Sequence, residues 1–387
     1  MRYFILFILQ ILFSFPLCCQ NINTILTQFN QDSLVKTVRD LSGEDSVVIN
    51  GTKTLIKYRA AYLGLNLTEN YLIERLKKYN LDVETYKYSI NGLNIFATQK
   101  GTKYPGEVFI VGAHHDAVTK YCADDDASGC AAVMETARIL SVIALDYSII
   151  YAFWDEEEAG LWGSSYHARQ AKANGQTFKG IINLDMIGYD SNNDRKFEIQ
   201  VHPDASSLSL ADSILKIISR YNLNLVPYIA NPGSDRGDHY SYWKQGIFNA
   251  INIGEQIFTE DPNPAYHTEN DRINIFNIPY FAEISKLTVA LMATLAQPSV
   301  TGISEMEETK NQIRIYPNPT TGLITIDMKN NLETKVIITD IFGRVLTENS
   351  YRQPFIKIDL KDYPDGFYMV TLINKNGNLT RKVVKTN

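Results

Sequence analysis

Residues 108–129 read VFIVGAHHDAVTKYCADDDASG and join an apolar run to a dense group of polar side chains. The run Val108–Val111 is apolar and rich in β-branched residues, which predicts a strand buried on both faces of a sheet. Two histidines and an aspartate follow it, then three successive aspartates, and Ser128-Gly129 opens a helix. Because buried carboxylates and imidazoles need a partner of opposite charge, this stretch predicts a bound cation at the end of the strand.

The whole chain has the length and composition of a globular protein with two or three domains. It has 387 residues, of which 45% are hydrophobic and 21% charged, and its formal net charge is −6. An acidic balance of this kind disfavours nucleic acid as a partner and tolerates a bound cation.

The N-terminus, MRYFILFILQILFSFPLCCQN, has the pattern of a secretory signal peptide. A single early Arg2 precedes the apolar stretch 5–13, which is too short for a comfortable membrane span. We therefore expect residues 1–19 to be removed, leaving no transmembrane segment in the mature chain; a lipid attached to Cys18 or Cys19 is the alternative. The mature chain would keep Cys122 and Cys130, which either form a disulfide or remain free thiols.

Strand and helix patterns alternate along residues 108–296. Strands are predicted at 148–154, 180–184 and 248–253, and helices at 126–145, 164–174, 206–221 and 279–296. This alternation predicts an α/β fold with a mostly parallel central sheet covered by helices on both faces, and a ligand crevice at the carboxyl ends of the strands. N-terminal to this alternating region, residues 81–98 predict a hairpin around Asn91-Gly92.

Acidic or imidazole side chains follow each of the four predicted sheet strands. The second strand ends in Asp-Glu-Glu-Glu at 155–158, the third delivers Asp185, and the fourth leads to a loop containing His267. A lone aspartate at a strand end is usually a cap or a turn former, and a run of glutamates is usually a solvated surface. Four such strand ends at one edge favour a metal centre instead.

Five motifs in order, HxD, DDxASG, EExGLxGS, NxDMIG and YHTxxD, resemble the di-zinc aminopeptidases of the co-catalytic metallopeptidase group, which also contains glutaminyl cyclases. The resemblance covers about residues 50–297 and implies the zinc peptidase fold and two Zn²⁺ ions per chain. It implies that Asp125 bridges the two ions. The terminal ligands that it implies are His114 and Asp185 for one ion, and Glu158 and His267 for the other.

The same resemblance implies roles for residues that are not ligands. Glu157 corresponds to the general base, and Asp116 to the residue that orients His114. Tyr266 and Asp238 are candidates for substrate binding, although Gly237 stands where the family has serine. Asp271 is a candidate for orienting His267.

Nitrogen and oxygen ligands suit zinc, and few protein ligands leave positions open for water and substrate. Two ions about 3.5–4 Å apart can share a hydroxide and polarise a carbonyl, as peptide hydrolysis requires. The expected activity is removal of N-terminal residues from peptides with a free N-terminus. The alternatives are a glutaminyl cyclase-like acyltransferase with one zinc and a non-catalytic surface binding protein.

Residues 299–311 are predicted to be a polar linker between a catalytic domain, 20–298, and a small all-β sandwich, 312–387. The sequences YPNPTTG (316–322) and DIFGRV (340–345), with the stretch from Gly366, resemble the sorting domain of the type IX secretion system. This resemblance implies contact with the secretion machinery and export through the periplasm to the medium or the cell surface. A carbohydrate- or protein-binding module is the alternative.

Overall fold

A computed structural model describes residues 21–59, 65–256, 260–299, 313–328, 332–340, 344–374 and 377–386. The chain divides into two compact units, one spanning Gln20–Ser299 and one holding the C-terminal residues. The predicted signal peptide and most of the predicted linker lie outside the described residues.

The first unit is a sheet with helices on both sides. Its helices are α1 (Ile22–Leu26), α2 (Gln31–Leu41), α3 (Leu65–Lys78), α4 (Ala127–Leu140), α5 (Trp162–Ala173), α6 (Ala205–Tyr221), α7 (His239–Trp243) and α8 (Ile278–Ala296). Its strands are β1 (Val47–Ile49), β2 (Thr52–Thr54), β3 (Asp82–Lys87), β4 (Leu93–Gln99), β5 (Tyr104–His114), β6 (Tyr147–Trp154), β7 (Gly180–Leu184), β8 (Lys196–Val201), β9 (Val226–Ala230) and β10 (Ala250–Gly254).

Among the described residues, the main sheet has eight strands in the order β3-β4-β6-β5-β7-β10-β8-β9. The four central strands, β6, β5, β7 and β10, are all parallel to one another. The β3-β4 hairpin pairs antiparallel with β6 at one side, and β8 pairs antiparallel with β10 at the other. The predicted α/β fold with a mostly parallel sheet is confirmed. Its parallel centre brings the carboxyl ends of four strands to one edge.

Successive side chains of the central strands point to opposite faces, and each face packs on its own helices. In β5, Val111 belongs to the large core that includes α4 and α8, whereas Ile110 packs with α5 and α7 on the other face. The same alternation separates Ile182 from Ile181 in β7. Burial on both faces explains why these strands are almost uniformly apolar.

Capping side chains set the starts of the long helices. The Asp126 carboxylate accepts a hydrogen bond from the Gly129 amide at the start of α4, and Asp204 and Asn277 cap α6 and α8 in the same way. α4 ends at Leu140, five residues earlier than its apolar pattern predicts. Beyond Leu140 the chain leaves the helix, with Val142 exposed and Leu145 returning to the core.

α8 is long and apolar enough to cross a membrane by length and composition, and 67% of its most apolar window is buried. Leu287 and Leu291, for example, are fully buried in the large core. The helix packs within the first unit alongside α4, and the need to fill that core accounts for its apolar sequence.

The sequence does not predict two strands, β8 and the edge strand β9. β8 carries Glu198 and Gln200 on a buried face, and β9 contains Pro227, so neither shows the apolar run of the central strands. Proline at an edge strand loses no ladder hydrogen bond, which is why β9 tolerates it.

The second unit consists of two antiparallel sheets. One contains β11 (Arg314–Tyr316), β12 (Leu323–Asp327) and β15 (Phe355–Asp359), and the other contains β13 (Thr334–Asp340), β14 (Val345–Tyr351), β16 (Gly366–Asn374) and β17 (Gly377–Lys385). Side chains from both sheets, such as Ile324 and Ile356 from one and Val336 and Val370 from the other, form a single core. The predicted all-β fold is confirmed.

Candidate metal centre

The carboxylate of Asp125 lies between two histidines. Its Oδ1 is 3.1 Å from Nε2 of His114 at the end of β5, and its Oδ2 is 3.3 Å from Nε2 of His267. Each oxygen thus faces a different imidazole. His114 and His267 are 153 positions apart in the chain and meet here because β5 and β10 end at the same edge of the sheet.

Two further carboxylates complete the arrangement on either side of Asp125. Asp185, directly after β7, places Oδ1 3.9 Å from Nε2 of His114. Glu158, in the turn after β6, places Oε2 3.1 Å from Nε2 of His267. All five side chains that the sequence predicts as ligands therefore lie in one cluster. Ligand atoms of His114, Asp125 and Glu158 are within 4.8 Å of one another.

The cluster passes a physical test for metal binding. Ligand atoms about 2.1 Å from a tetrahedral ion stand roughly 3.4 Å apart, which matches the nitrogen-to-oxygen distances around Asp125. Oδ2 of Asp125 and Oε1 of Glu158 are buried yet have no hydrogen-bond partner. Unpaired buried carboxylate oxygens are costly, so the residues fit a pair of bound cations.

The pKa values of nearby acids show how much negative charge is crowded together. Burial raises the pKa of Asp185 to about 7 and that of Asp238 to about 7. Burial also raises the pKa of Glu157 well above its ordinary value. For Asp125, burial acts in the same direction, but His114 and His267 outweigh it and lower the pKa. Divalent cations would relieve this repulsion.

Asp116 links the cluster to the turn after β6. Its Oδ1 lies 3.3 Å from Nδ1 of His114 and accepts a hydrogen bond from the Glu157 amide at 3.1 Å. Its Oδ2 accepts a hydrogen bond from the Glu158 amide at 3.2 Å. One buried carboxylate therefore lies beside the His114 ring and holds the backbone of both Glu157 and Glu158.

A cavity opens above the cluster. Tyr266 and Glu157 line it together with His114, Asp125, Glu158 and Asp185, and Met186, Gln200, Ser234, Arg236 and Asn252 form the rest of its wall. Tyr266 stacks on His267 with ring centroids 3.7 Å apart. Glu157 borders the same space as the candidate ligands.

Asp238 lies behind the wall of the cavity. It is 1% exposed and precedes α7, and it is not among the cavity-lining residues that the structure describes. Gly237 has φ +89°, where a Cβ would be strained and would lie 3.3 Å from Oδ2 of Asp185. This backbone conformation explains the glycine at a position where the family has serine. A direct contact between Asp238 and substrate stays a prediction.

The three successive aspartates have three different partners. Asp124 accepts hydrogen bonds from the Gly188 amide and the Asn263 side chain, whereas Asp126 caps α4 and accepts from the His114 amide. Asp271 does not direct its hydrogen bonds to His267 as predicted. Its carboxylate accepts from the backbone amides of Asp124 and Asp125 instead. Only the middle aspartate points between the histidines.

Arg59 is a buried residue that the sequence reasoning missed. It is 1% exposed, and its guanidinium donates hydrogen bonds to the carbonyl oxygens of Leu41, His115, Tyr121, Cys122 and Asp125. All five acceptors are backbone atoms, so no complementary side chain in the sequence indicates that Arg59 binds them. Arg59 fixes the loop that carries Asp125.

We expect Arg59→Met to lower the free energy of unfolding by at least about 3 kcal/mol, because five buried carbonyls would lose their donor. Displacement of the loop should also weaken zinc binding about 10- to 100-fold. Urea titration followed by tryptophan fluorescence tests this, since Trp154, Trp162 and Trp243 all lie in the first unit.

The matched control is Arg39→Met. Arg39 is partly exposed and paired with Asp45 at 2.8 Å, and such surface pairs contribute about 1 kcal/mol or less. Equal destabilisation by the two variants would contradict the role of Arg59.

Cys122 and Cys130 are both buried free thiols in this structure. The Sγ of Cys130 donates to the His114 carbonyl at 3.1 Å. Cys130 thus packs against the backbone that carries a candidate ligand.

The part of the chain that carries the candidate centre matches a known protein family. Residues 94–292, just over half of the chain, match the family described as Peptidase family M28. The chain belongs to this family. The matched segment contains β4 to most of α8 and every residue of the candidate centre. The family resemblance inferred from the five motifs is confirmed.

Individual relatives of this M28 chain are distant in sequence. Leucine aminopeptidase 1 of Paracoccidioides brasiliensis (strain Pb03) is 27% identical over 236 residues, which are 57% of this chain and 59% of that protein. The chain therefore spans about three fifths of the length of this relative.

Solved structures share the fold of this M28 chain. The LapA aminopeptidase of Legionella pneumophila has a TM-score of 0.61 and 23% identity, and the match covers 71% of this chain and 74% of that one. The glutaminyl cyclase of Porphyromonas gingivalis has a TM-score of 0.58 and 18% identity, covering 69% of this chain and 99% of that one. At these identities the likeness shows the fold alone.

The C-terminal unit of the M28 chain has a family of its own. Residues 314–386 match the family described as a secretion system C-terminal sorting domain. This range covers β11 to β17, and the resemblance inferred for this region is confirmed.

Proposed function

We propose that this chain is an exported metallo-aminopeptidase that uses two zinc ions to remove N-terminal residues from peptides. The observation that carries the proposal is the position of Asp125, with one carboxylate oxygen toward His114 and the other toward His267. A carboxylate placed this way can bridge two ions, with Asp185 and Glu158 as the remaining ligands.

The ligand types favour zinc as the metal. The cluster offers two imidazole nitrogens and three carboxylates and no thiolate, a set typical of catalytic rather than structural zinc. Bound there, the ions would act as Lewis acids toward a substrate carbonyl and lower the pKa of water toward about 7.

Glu157 is the residue proposed to move the proton. It lines the cavity beside the candidate ligands without belonging to them, and its backbone amide is held by Asp116. From this position its carboxylate can take a proton from the attacking water and deliver it to the nitrogen of the departing amine. The oxygen of water thereby bonds to the carbonyl carbon while the peptide C–N bond breaks.

The charge of the cavity supports a preference for a free N-terminus. Asp125, Asp185 and Glu158 are occupied as proposed zinc ligands, whereas Glu157 adds a further carboxylate to the cavity that can attract an α-ammonium group. Tyr266 borders the same space and is the residue proposed to donate a hydrogen bond from its hydroxyl to substrate. Asp116 acts through its contacts with His114 and the Glu157 amide.

Export is proposed from the C-terminal unit. The sorting-domain match, together with the apolar N-terminus, supports passage through the periplasm and delivery to the medium or the cell surface. The expected partners are the secretion machinery and peptide substrates.

Purified protein should be assayed on a panel of aminoacyl substrates, the same peptides with acetylated N-termini, and peptides that begin with glutamine. We expect cleavage of the free peptides only, complete loss of activity with a chelator, and recovery with zinc. Cyclisation of N-terminal glutamine with release of ammonia, and no cleavage, would instead identify a glutaminyl cyclase. Binding without either reaction would contradict an enzymatic role.

A further inference from the structure

A second group of potential metal ligands lies outside the candidate centre. Glu69 on α3, His115 directly after β5 and Asp155 directly after β6 place ligand atoms within 4.8 Å of one another. His115 and Asp155 are both fully buried, and Glu69 is half-buried. Two carboxylates are thus held beside one imidazole in a site with little access to water.

The imidazole of His115 is unpaired. It is 0% exposed, and neither Nδ1 nor Nε2 has a hydrogen-bond partner. Its Nε2 lies 3.9 Å from Oδ1 of Asp155, which is beyond hydrogen-bond distance. A buried polar nitrogen without a partner costs about 1–3 kcal/mol, so the ring needs a ligand that the described residues do not provide.

Asp155 is held in place independently of His115. Its Oδ2 accepts a hydrogen bond from the Leu93 amide at 2.8 Å, and its Oδ1 accepts one from the Glu156 amide at 2.9 Å. Each carboxylate oxygen retains a further lone pair. The carboxylate is therefore oriented in advance and can still bind a cation.

The group is separate from the candidate centre because successive residues of a strand point to opposite sides. His114 faces Asp125 and Asp185, whereas its neighbour His115 faces Asp155 and α3. The His115 amide donates to the Trp154 carbonyl at 2.8 Å, which keeps the two strand ends side by side.

We propose that Glu69, His115 and Asp155 bind an additional divalent transition-metal ion, for which zinc is the probe. One imidazole with two carboxylates suits first-row divalent ions, whereas calcium and magnesium prefer oxygen ligands alone. Three protein ligands leave one position for water in a tetrahedral site. The ion connects α3 to the ends of β5 and β6, next to the residues of the candidate centre.

The test is the zinc content of the metal-stripped full-length protein after exposure to micromolar zinc, measured by native mass spectrometry. Glu69→Gln should lower the content by one ion per chain. His115→Phe should do the same and checks the result independently. Glu74→Gln is the matched control on the same helix, where the carboxylate accepts from the Asn50 amide, and it should leave the content unchanged.

The Asp125→Asn chain separates this site from the candidate centre. The Asp125→Asn variant should keep the one zinc ion of the additional site, and the further substitution Glu69→Gln should remove that ion. A zinc-edge anomalous map should show a peak among Glu69, His115 and Asp155. Unchanged zinc content in both the Glu69 and His115 variants, or a peak that appears only in crystals soaked in millimolar zinc, would overturn the proposal.

Discussion

Glu157→Gln is expected to lower kcat by about 10³-fold while leaving the zinc content and the fold unchanged. The amide has nearly the shape of the carboxylate but cannot accept the proton of the attacking water. Because Glu157 is held through its backbone amide by Asp116, the substitution leaves the neighbouring Glu158 in place. Steady-state kinetics on an aminoacyl substrate, with metal analysis of the same sample, measures both effects.

Glu156→Gln provides a control from the same run of acids. Glu156 accepts a hydrogen bond from the Tyr88 hydroxyl at 3.0 Å and does not belong to the described lining of the cavity. The kcat of the Glu156→Gln variant should therefore stay within a few-fold of the parent value. Loss of zinc from the Glu157 variant together with retained activity would refute the assignment of Glu157 as the base.

Asp125→Asn is expected to reduce the affinity for both zinc ions of the candidate centre and to abolish hydrolysis. An amide has one acceptor oxygen where the carboxylate has two, so it cannot bridge the zinc ion beside His114 and the zinc ion beside His267. The loss of affinity should exceed the roughly 100-fold that follows removal of a partner outside the ligand shell. Isothermal titration of the stripped protein with zinc measures it.

Asp185→Asn serves as the comparison for Asp125. Of the two histidines, Asp185 lies near His114, so its loss should weaken one ion and leave the one near Glu158 and His267 in place. If the two variants lost the same number of ions, Asp125 would not be a bridge.

The sequence predicts best the features that depend on the residue pattern within one strand and on the order of the strands. The apolar run before His114 predicts a doubly buried strand, and the polar residues after each strand predict their meeting at one edge, because parallel strands share a carboxyl end. The motif order identified the family. These inferences need only strand periodicity and chain order.

The sequence predicts poorly the contacts in which a side chain binds backbone atoms. Arg59 donates to five carbonyls that any residue could supply, so no pattern marks it. Asp271 could be placed near the centre, but its choice of the Asp124 and Asp125 amides depends on loop geometry. β9 lacks an apolar run because it is an edge strand and need not be buried on both faces, whereas β8 is buried yet carries the polar Glu198 and Gln200.

The most direct test of the account is a zinc-edge anomalous map from crystals of the full chain grown with micromolar zinc. The account predicts two peaks that share the Asp125 carboxylate, one beside His114 and Asp185 and the other beside Glu158 and His267. A single peak at Asp125, or none, would contradict the proposed pair of ions.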